Sequence, residues 1–301
     1  MTSTDGAARP SRFGPPKPAW LRVKLPPPSN SESLLKTVAK YGLETVCREA
    51  RCPNAMDCHA RGTATFMILG AICTRACRFC AVTSGRPEAV DPTEPRRLAL
   101  AVKKLRLKHC VITSVDRDDL EDYGARHFAD CIKAVREMVP DCTIEVLTPD
   151  FNGDRGSIGI VVNAQPDVFN HNVETVQRLS RTIRPKAQYF GSLELLRYVK
   201  EMDPEMTTKS GIMVGLGEEP DEVVQTMKDM RGHSIEILTI GQYLRPSEKH
   251  AELVRYVHPN EFLGWAKQGK KMGFKHAFCG PLVRSSFHAG EVYEHAQELV
   301  G

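Results

Sequence analysis

The sequence lacks a long apolar run and a strong excess of either charge. No stretch reaches the ~18 apolar residues that a membrane-spanning helix needs, so no membrane association is expected. The formal net charge of the 301 residues is only +4, which gives no indication of a nucleic acid partner. The first 20 residues contain no hydrophobic segment and several prolines, which argues against a secretion signal and a mitochondrial presequence. We expect a cytoplasmic protein, or one of the mitochondrial or plastid matrix in a eukaryote.

Cysteine, in contrast, is abundant. Ten cysteines without a secretion signal indicate a reducing compartment, where thiols bind metals or take part in catalysis. Six of them form two triplets, spaced C-x4-C-x5-C and C-x3-C-x2-C: Cys47, Cys52 and Cys58, then Cys73, Cys77 and Cys80. Three thiolates can bind three irons of a four-iron, four-sulfur cube and leave the fourth iron open for chemistry. The triplets therefore predict two incomplete clusters.

Short apolar runs alternate with amphipathic helical stretches along most of the chain. The predicted strands are 65–70, 109–115, 143–148, 168–171, 211–216 and 235–243. The predicted helices are 95–107, 125–139, 173–183, 193–201, 221–231 and 260–272. Continuous apolar strands joined by helices indicate an α/β fold with a parallel sheet. Six strand–helix units fall short of the eight of a closed TIM barrel, so we expect a partial six-unit (β/α) barrel of TIM type, open at one side.

This pattern divides the chain into four segments. Residues 1–30 hold many of the prolines and predict an extended arm. Residues 31–62 contain the first triplet and are expected to carry an auxiliary cluster. Residues 63–275 form the predicted barrel, and 276–301 form a C-terminal tail.

The second triplet directly follows the first predicted strand. It therefore lies at the carboxyl end of a strand, where α/β folds place their active sites. Zinc is the alternative, but it needs a fourth protein ligand, for which His59 is the nearest candidate, and this spacing is not a usual zinc pattern. The first triplet, considered alone, is also compatible with structural zinc or a buried thiol cluster.

The spacing of Cys73, Cys77 and Cys80, with Phe79 before the last cysteine, resembles the signature of the radical S-adenosylmethionine (SAM) enzymes. The resemblance implies a cluster whose open iron chelates the amino and carboxylate groups of SAM. Reductive cleavage of SAM would then give a 5′-deoxyadenosyl radical that abstracts hydrogen from an unactivated carbon.

Several residues are candidates for contact with SAM. Residues 211–217 (GIMVGLG) resemble the strand that lies along SAM in these enzymes, so Gly215 and Gly217 are expected to bind the cofactor, as is Phe79. Polar side chains that end the second predicted strand could reach the methionine amino group or the ribose: Thr113, Ser114 and Asp116. A polar run at 170–172 offers a further binding surface, although His171 alone is more typical of a structural histidine.

Further motifs narrow the resemblance to the lipoyl synthase family. They are CREARCPNAMDC (47–58), GTATFMIL (62–69), CTRACRFC (73–80), TSVDRDDL (113–120), PDF (149–151), FNHNVETV (169–176), KSGIMVGLG (209–217), LTIGQYL (238–244) and GPLVRSSF (280–287). In that family a serine of the terminal Arg-Ser-Ser-aromatic motif binds the fourth iron of the auxiliary cluster. By position this serine is Ser286, with Ser285 as the competitor. A serine oxygen is a harder ligand than a thiolate and should be displaced more easily.

The resemblance implies an activity and a set of partners. Two [4Fe-4S] clusters and SAM would insert sulfur at C6 and C8 of an octanoyl group on a lipoyl carrier domain. That domain would belong to a 2-oxoacid dehydrogenase E2 subunit or a glycine cleavage H protein. The auxiliary cluster on Cys47, Cys52, Cys58 and Ser286 would donate the sulfurs and be consumed. A ferredoxin or flavodoxin would supply electrons, and iron–sulfur assembly proteins would rebuild the cluster.

Two other classes of protein could also contain two cysteine triplets, but each needs a different chain organisation. A methylthiotransferase, another radical enzyme with an auxiliary cluster, would be expected to carry an additional RNA- or protein-binding domain, and none is visible in the sequence. A non-catalytic iron–sulfur or zinc regulator would need neither a barrel nor an open iron.

Overall fold

The computed structural model describes residues 15–21, 31–46, 54, 58, 63–286 and 290. Most of the predicted proline-rich arm lies outside these residues, as do Cys47 and Cys52 of the first triplet. Ala19–Leu21 form a single 3-10 turn. No helix in the described ranges is both long enough and apolar enough to cross a bilayer.

The described chain alternates strands and helices. The strands are β1 (Glu44–Thr45), β2 (Thr63–Ile68), β3 (Ile72–Cys73), β4 (Thr83–Ser84), β5 (His109–Ser114), β6 (Thr143–Leu147), β7 (Val168–Asn170), β8 (Thr207–Val214), β9 (Ile237–Gln242) and β10 (His276–Gly280). The helices are α1 (Ser31–Lys40), α2 (Glu94–Leu105), α3 (Ala125–Met138), α4 (Arg155–Asn163), α5 (Gln177–Ile183), α6 (Tyr189–Met202), α7 (Pro220–Gly232) and α8 (Pro259–Lys271). A 3-10 turn, Phe151–Gly153, precedes α4.

One sheet organises the fold, in the strand order β1-β2-β5-β6-β7-β8-β9-β10. Neighbours from β2 to β10 are parallel, while β1 is antiparallel to β2. The edge strands β1 and β10 do not pair with each other within the described residues. The α/β partial barrel predicted from the sequence is therefore confirmed.

The last strand of the sheet lies beyond the predicted C-terminal limit of the barrel. β10 pairs in register with β9, so the barrel continues past residue 275, where the sequence analysis placed its end. The helix α4 was also not predicted. Its sequence, RGSIGIVVN, contains two glycines and three β-branched residues in a row and has little amphipathic pattern.

The two faces of the sheet differ in polarity. Outward-facing residues such as Phe66, Ile112 and Val146 pack with helix residues in one apolar core. Alternate residues on the inner face are polar, and four fully buried ones form what we call the interior cluster: His109, Glu145, Asn170 and Lys209. This cluster lies beneath the carboxyl ends of the strands.

The interior cluster is centred on a buried ion pair. Lys209 Nζ lies 3.0 Å from both carboxylate oxygens of Glu145, and Asn170 Nδ2 donates to Glu145 Oε1 at 2.9 Å. His109 Nε2 is 3.5 Å from Glu145 Oε2. Burial opposes ionisation of Glu145, but the charge of Lys209 outweighs it and lowers the pKa of that carboxyl to about 2.

Candidate active site

The loop that carries the second triplet begins where β2 ends. Leu69 and Gly70 both have left-handed backbone angles, with φ of 67° and 89°, and turn the chain out of the sheet. The backbone N–H of Leu69 donates to Glu94 Oε2 at 2.9 Å, which fixes this turn against α2. Cys73, Cys77 and Cys80 follow as half-buried free thiols. We call residues 73–80 the cysteine loop.

Two backbone N–H groups point at the sulfur of Cys73, while burial and a neighbouring carboxylate keep its thiol protonated in the absence of metal. Its sulfur accepts the backbone N–H of Arg75 at 3.4 Å and that of Asp116 at 3.3 Å, and its thiol faces Asp116 Oδ2 at 3.6 Å. Burial, together with the charge of Asp116, raises the pKa of Cys73 to about 11, and burial raises that of Cys77 to about 12. Iron would replace the thiol protons, because a bound metal deprotonates its thiol ligands.

Three thiols in one loop suit the ligation of an iron–sulfur cube. Among the described residues, no three His, Cys, Asp or Glu side chains converge on a point that could hold one ion. Each cysteine of a cube binds a different iron, so its three sulfurs do not have to converge. Soft thiolates are also the ligands that such clusters prefer.

Beside the cysteine loop lies an ionic cluster that we call the mouth cluster: Arg75, Asp116, Asp118 and Asp150. The buried Arg75 guanidinium bonds Asp118 at 2.7 Å and Asp150 at 2.8 Å, and its Nε is 3.4 Å from Asp116. One cation thus faces three carboxylates. Burial raises the pKa of Asp116. The charges of Asp118 and Asp150 raise it as well, whereas the charge of Arg75 lowers it.

The far side of the cysteine loop is hydrogen-bonded to the end of α5 and to the loop that follows β9. The N–H of Arg78 donates to Ile183 O at 2.9 Å, and the N–H of Ala251 donates to Arg78 O at 2.7 Å. His250 Nε2 is 2.9 Å from Cys80 O. Phe79 packs against an apolar group formed by Ile183, Leu216, Tyr243, Ala251 and Leu253. The loop therefore extends from β2 across to the segments that follow β7 and β9.

The structure brings only some of the residues predicted to bind SAM close to the cysteines. Asp116 lies against Cys73, as described above. Thr113 Oγ1 donates to Leu147 O at 2.8 Å, and Ser114 Oγ donates to Val115 O at 2.8 Å, so both hydroxyls have backbone partners. SAM contacts for these residues, and for Phe79, remain predictions.

Gly215 and Gly217 lie in the turn after β8, with φ of 105° and 98°. A Cβ on Gly215 would come within 2.2 Å of Gln242 Nε2 and 2.7 Å of Arg255 O. Close packing thus explains the glycine at 215, and its contact with SAM stays a prediction.

Sequence reasoning missed Glu174, which follows β7 at the same end of the barrel. Its backbone has φ of 70°, an uncommon conformation for a residue other than glycine and a form of strain found at functional sites. Asn172 Nδ2 donates to Glu174 Oε1 at 3.2 Å. Burial raises the pKa of Glu174 despite the charge of Arg184. The polar run at 170–172 was the nearest signal in the sequence.

His171 is structural. Its ring nitrogens lie 2.8 Å from Thr148 O and 2.9 Å from Ser192 Oγ. Burial, reinforced by the charge of Arg184, lowers its pKa to about 4, so the ring is neutral at pH 7.

Asn54 and Cys58, the two described residues of the first triplet segment, lie with the C-terminal tail at the same end of the barrel. Cys58 is buried, its N–H donates to Asn54 O at 3.0 Å, and Asn54 Nδ2 donates to Leu282 O at 2.5 Å. Asn172 Nδ2 donates to Ser285 Oγ at 3.3 Å. Residues 282–285 of the tail therefore lie between Asn54 and the residues that follow β7.

A cysteine triplet in a loop at the carboxyl end of a partial (β/α) barrel is the arrangement of a radical enzyme. Residues 67–230 match the model of the Radical SAM superfamily. Solved structures agree in fold: HydG, a maturase of the [FeFe]-hydrogenase, has a TM-score of 0.54 at 12% identity, covering 83% of this chain and 63% of that one. Methylornithine synthase has a TM-score of 0.52 at 15% identity, covering 73% and 66%.

Curated relatives give the narrower identification. The chain is 55% identical over 281 residues to a lipoyl synthase of Rubrobacter xylanophilus, covering 93% of this chain and 88% of the relative. It is 54% identical over 287 residues to that of Aeromonas salmonicida, covering 95% and 88%. The chain therefore belongs to the lipoyl synthase family of the radical SAM superfamily. It is a sulfur-inserting enzyme that uses SAM and a [4Fe-4S] cluster and acts on an octanoylated carrier protein.

Proposed function

We propose that this chain inserts two sulfur atoms, at C6 and C8 of an octanoyl group on a lysine of a lipoyl carrier domain, to form the lipoyl group. The contact between Asn54 and Leu282 carries the proposal. Asn54 lies between two cysteines of the first triplet, and Leu282 lies just beyond β10 at the carboxyl end of the barrel. A sulfur source and a radical generator would thus face one reaction chamber.

Cys73, Cys77 and Cys80 would hold the cluster that binds SAM. When bound, SAM supplies the 5′-deoxyadenosyl radical that removes a hydrogen atom from each carbon to be modified. Asp116, half-buried beside Cys73, would attract the cationic groups of SAM, because the mouth cluster has more carboxylates than cations. The amide of Asn172 would donate a hydrogen bond to polar groups of SAM, and the carboxylate of Glu174 would accept one from them.

The second cluster is a substrate of the reaction in this proposal. Cys47, Cys52, Cys58 and Ser286 would hold it, and it would donate both sulfurs and be consumed. The burial of Cys58 beside the Asn54–Leu282 contact supports this placement. The hydroxyl of Ser285 accepts a hydrogen bond from Asn172, which favours its neighbour Ser286 as the iron ligand. The weaker serine bond would open first.

The partners follow from this chemistry. The carrier domain would be that of a 2-oxoacid dehydrogenase E2 subunit or a glycine cleavage H protein. A ferredoxin or flavodoxin would deliver electrons, and iron–sulfur assembly proteins would restore the consumed cluster. We place the activity in the cytoplasm or an organelle matrix, because the reaction needs reduced cysteines.

Anaerobic turnover with dithionite, SAM and an octanoylated peptide tests the proposal. Mass spectrometry should show two added sulfurs in the peptide, together with 5′-deoxyadenosine. Formation of deoxyadenosine without sulfur in the peptide would contradict sulfur insertion and leave the radical chemistry intact.

Two variants test the second cluster. The enzyme should contain about eight irons per chain, and Cys58→Ala should retain about four and cleave SAM without inserting sulfur. Ser286→Cys should slow sulfur insertion, because a thiolate holds iron more firmly, whereas the matched control Ser285→Cys should not. Equal rates for Ser286→Cys and the unmodified enzyme would contradict a labile oxygen ligand.

A further inference from the structure

The cysteine loop presents an exposed basic surface on its outer side. Ala76 and Arg78, which flank Cys77, are exposed. Arg78 is bonded through its backbone to Ile183 and Ala251, and three more exposed cations lie within three residues of those two partners: Arg181, Lys186 and Lys249. We call Arg78 and these three residues the basic rim.

Three of the four cations in the basic rim form no ion pair within the part of the chain that the structure describes. Lys186, with 62% of its side chain exposed, lies 3.6 Å from Asp118 Oδ2. Within the described residues, no carboxylate forms an ion pair with Arg78, Arg181 or Lys249. Glu248 and Glu252 are the exposed carboxylates beside Ala251. Cations therefore outnumber anions around the point where the loop carrying Cys77 reaches the surface.

The basic rim lies away from the open side of the barrel. The open side is bounded by the edge strands β1 and β10, and there Asn54 contacts Leu282 of the tail. Arg78, in contrast, is fastened to the segments that follow β7 and β9, in the interior of the strand order. An octanoyl chain has to enter the chamber, whereas an electron donor only has to approach the cluster from outside.

We propose that the basic rim is the docking surface for a small acidic protein that delivers single electrons to the cluster on Cys73, Cys77 and Cys80. One electron leaves the reduced donor and enters the cluster, with no bond formed and no proton moved. Complementary charge would accelerate encounter and orient the donor over Ala76, where little protein separates it from Cys77. The inference rests on the proposed function only in requiring a protein electron donor.

Charge reversal tests the docking surface. Arg181→Glu combined with Lys249→Glu changes two exposed side chains that contact neither the cysteines nor the mouth cluster. Stopped-flow reduction of the holoenzyme by a reduced bacterial flavodoxin should slow about 10-fold or more at low salt, and the Kd for oxidised flavodoxin should rise in parallel. Raising salt to about 0.5 M should reduce the difference, because salt screens exposed charges.

Two controls separate docking from chemistry. Lys103→Glu with Lys104→Glu makes the same charge change on the exposed end of α2, which leads to the amino end of β5, and should leave flavodoxin reduction unchanged. Reduction by dithionite, and sulfur insertion driven by it, should be normal in both double variants. Failure of dithionite-driven sulfur insertion in the unmodified enzyme would count against the proposed function and not against the docking surface.

The proposal is overturned if the rim variant accepts electrons from flavodoxin at the unmodified rate. It is also overturned if the variant loses affinity for the octanoylated carrier domain instead, which would make the basic rim the substrate's surface. If the double reversal fails to load its cluster, Arg181→Gln and Lys249→Gln provide the same comparison, with slower flavodoxin reduction of about two- to threefold each.

Discussion

The interior cluster and the mouth cluster are both buried ionic groups, but their charges are balanced differently. In the interior cluster one ammonium faces one carboxylate, and the side chains of Lys209 and Glu145 are each only 1% exposed. In the mouth cluster one guanidinium faces three carboxylates, which are 12–25% exposed. The balanced group lies beneath the chamber and the unbalanced group lies beside the cysteines. We infer that the first stabilises the fold and that the second provides spare negative charge for a cationic ligand.

Removing the cation of the interior cluster should give the largest effect on stability. Lys209→Met leaves Glu145 buried without its charge partner and should lower the free energy of unfolding by about 3–5 kcal/mol. Adding Glu145→Gln removes the stranded charge, keeps an acceptor for Asn170 and should recover at least half of the loss. Urea unfolding followed by circular dichroism measures both variants.

The matched substitution in the mouth cluster is Arg75→Met. The three carboxylates of the mouth cluster have access to water, so the loss of unfolding free energy should be smaller, about 1–3 kcal/mol. SAM cleavage should nevertheless fail, because the cysteine loop shifts when Arg75 is lost. Equal stability losses for the two substitutions would contradict the distinction between the clusters.

His171 lies between the interior cluster and the mouth cluster. It follows Asn170 in the chain, and the charge of Asp150 acts on its pKa, as does that of Arg184. Its pKa is about 4 in the folded protein, below the ordinary value of 6.5 that applies to the unfolded chain. As pH falls, the unfolded chain binds this proton first. The contribution of neutral His171 to the free energy of unfolding is therefore fully present above pH 6.5. It is lost progressively between pH 6.5 and 4, for a total of about 3 kcal/mol.

The measurement is the free energy of unfolding across that pH range, for the unmodified protein and for His171→Gln. The variant should show a clearly smaller decline between pH 6.5 and 4. Glu145 overlaps this window only at its acid end, because its pKa is lowered from 4.5 to about 2 and its contribution is lost between those two values, equally in both proteins. Parallel curves for the two proteins would show that His171 is not the responsible group.

The sequence predicted the cysteine loop well because its spacing is local and because strand ends are visible as apolar runs. It did not predict the mouth cluster, since Arg75 and Asp150 are far apart in the chain and only the fold brings them together. Glu174 was missed because a positive φ is set by tertiary contacts, here its hydrogen bonds to the backbone of β8. The strand β10 was missed because its sequence, HAFCG, mixes polar and small residues and is only half-buried.

The smallest expected effect is on the affinity for SAM, when the excess negative charge of the mouth cluster is reduced. Asp116→Asn keeps the shape of the side chain and removes one carboxylate next to Cys73. Because a hydrogen bond to a charged group contributes about 1.5–3 kcal/mol, the affinity for SAM should fall about 10- to 100-fold. Equilibrium dialysis of SAM against cluster-loaded enzyme measures this change.

Asp118→Asn is the matched control for Asp116→Asn. Asp118 accepts hydrogen bonds from Arg75 at 2.7–3.1 Å and lies 3.6 Å from Lys186 Nζ. These two cations of the protein already balance its negative charge. Its loss should change SAM affinity by less than about threefold, although it should cost some stability. If Asp118→Asn weakens SAM binding as much as Asp116→Asn does, the three carboxylates act as a single field, and Asp116 has no special position in binding the cofactor.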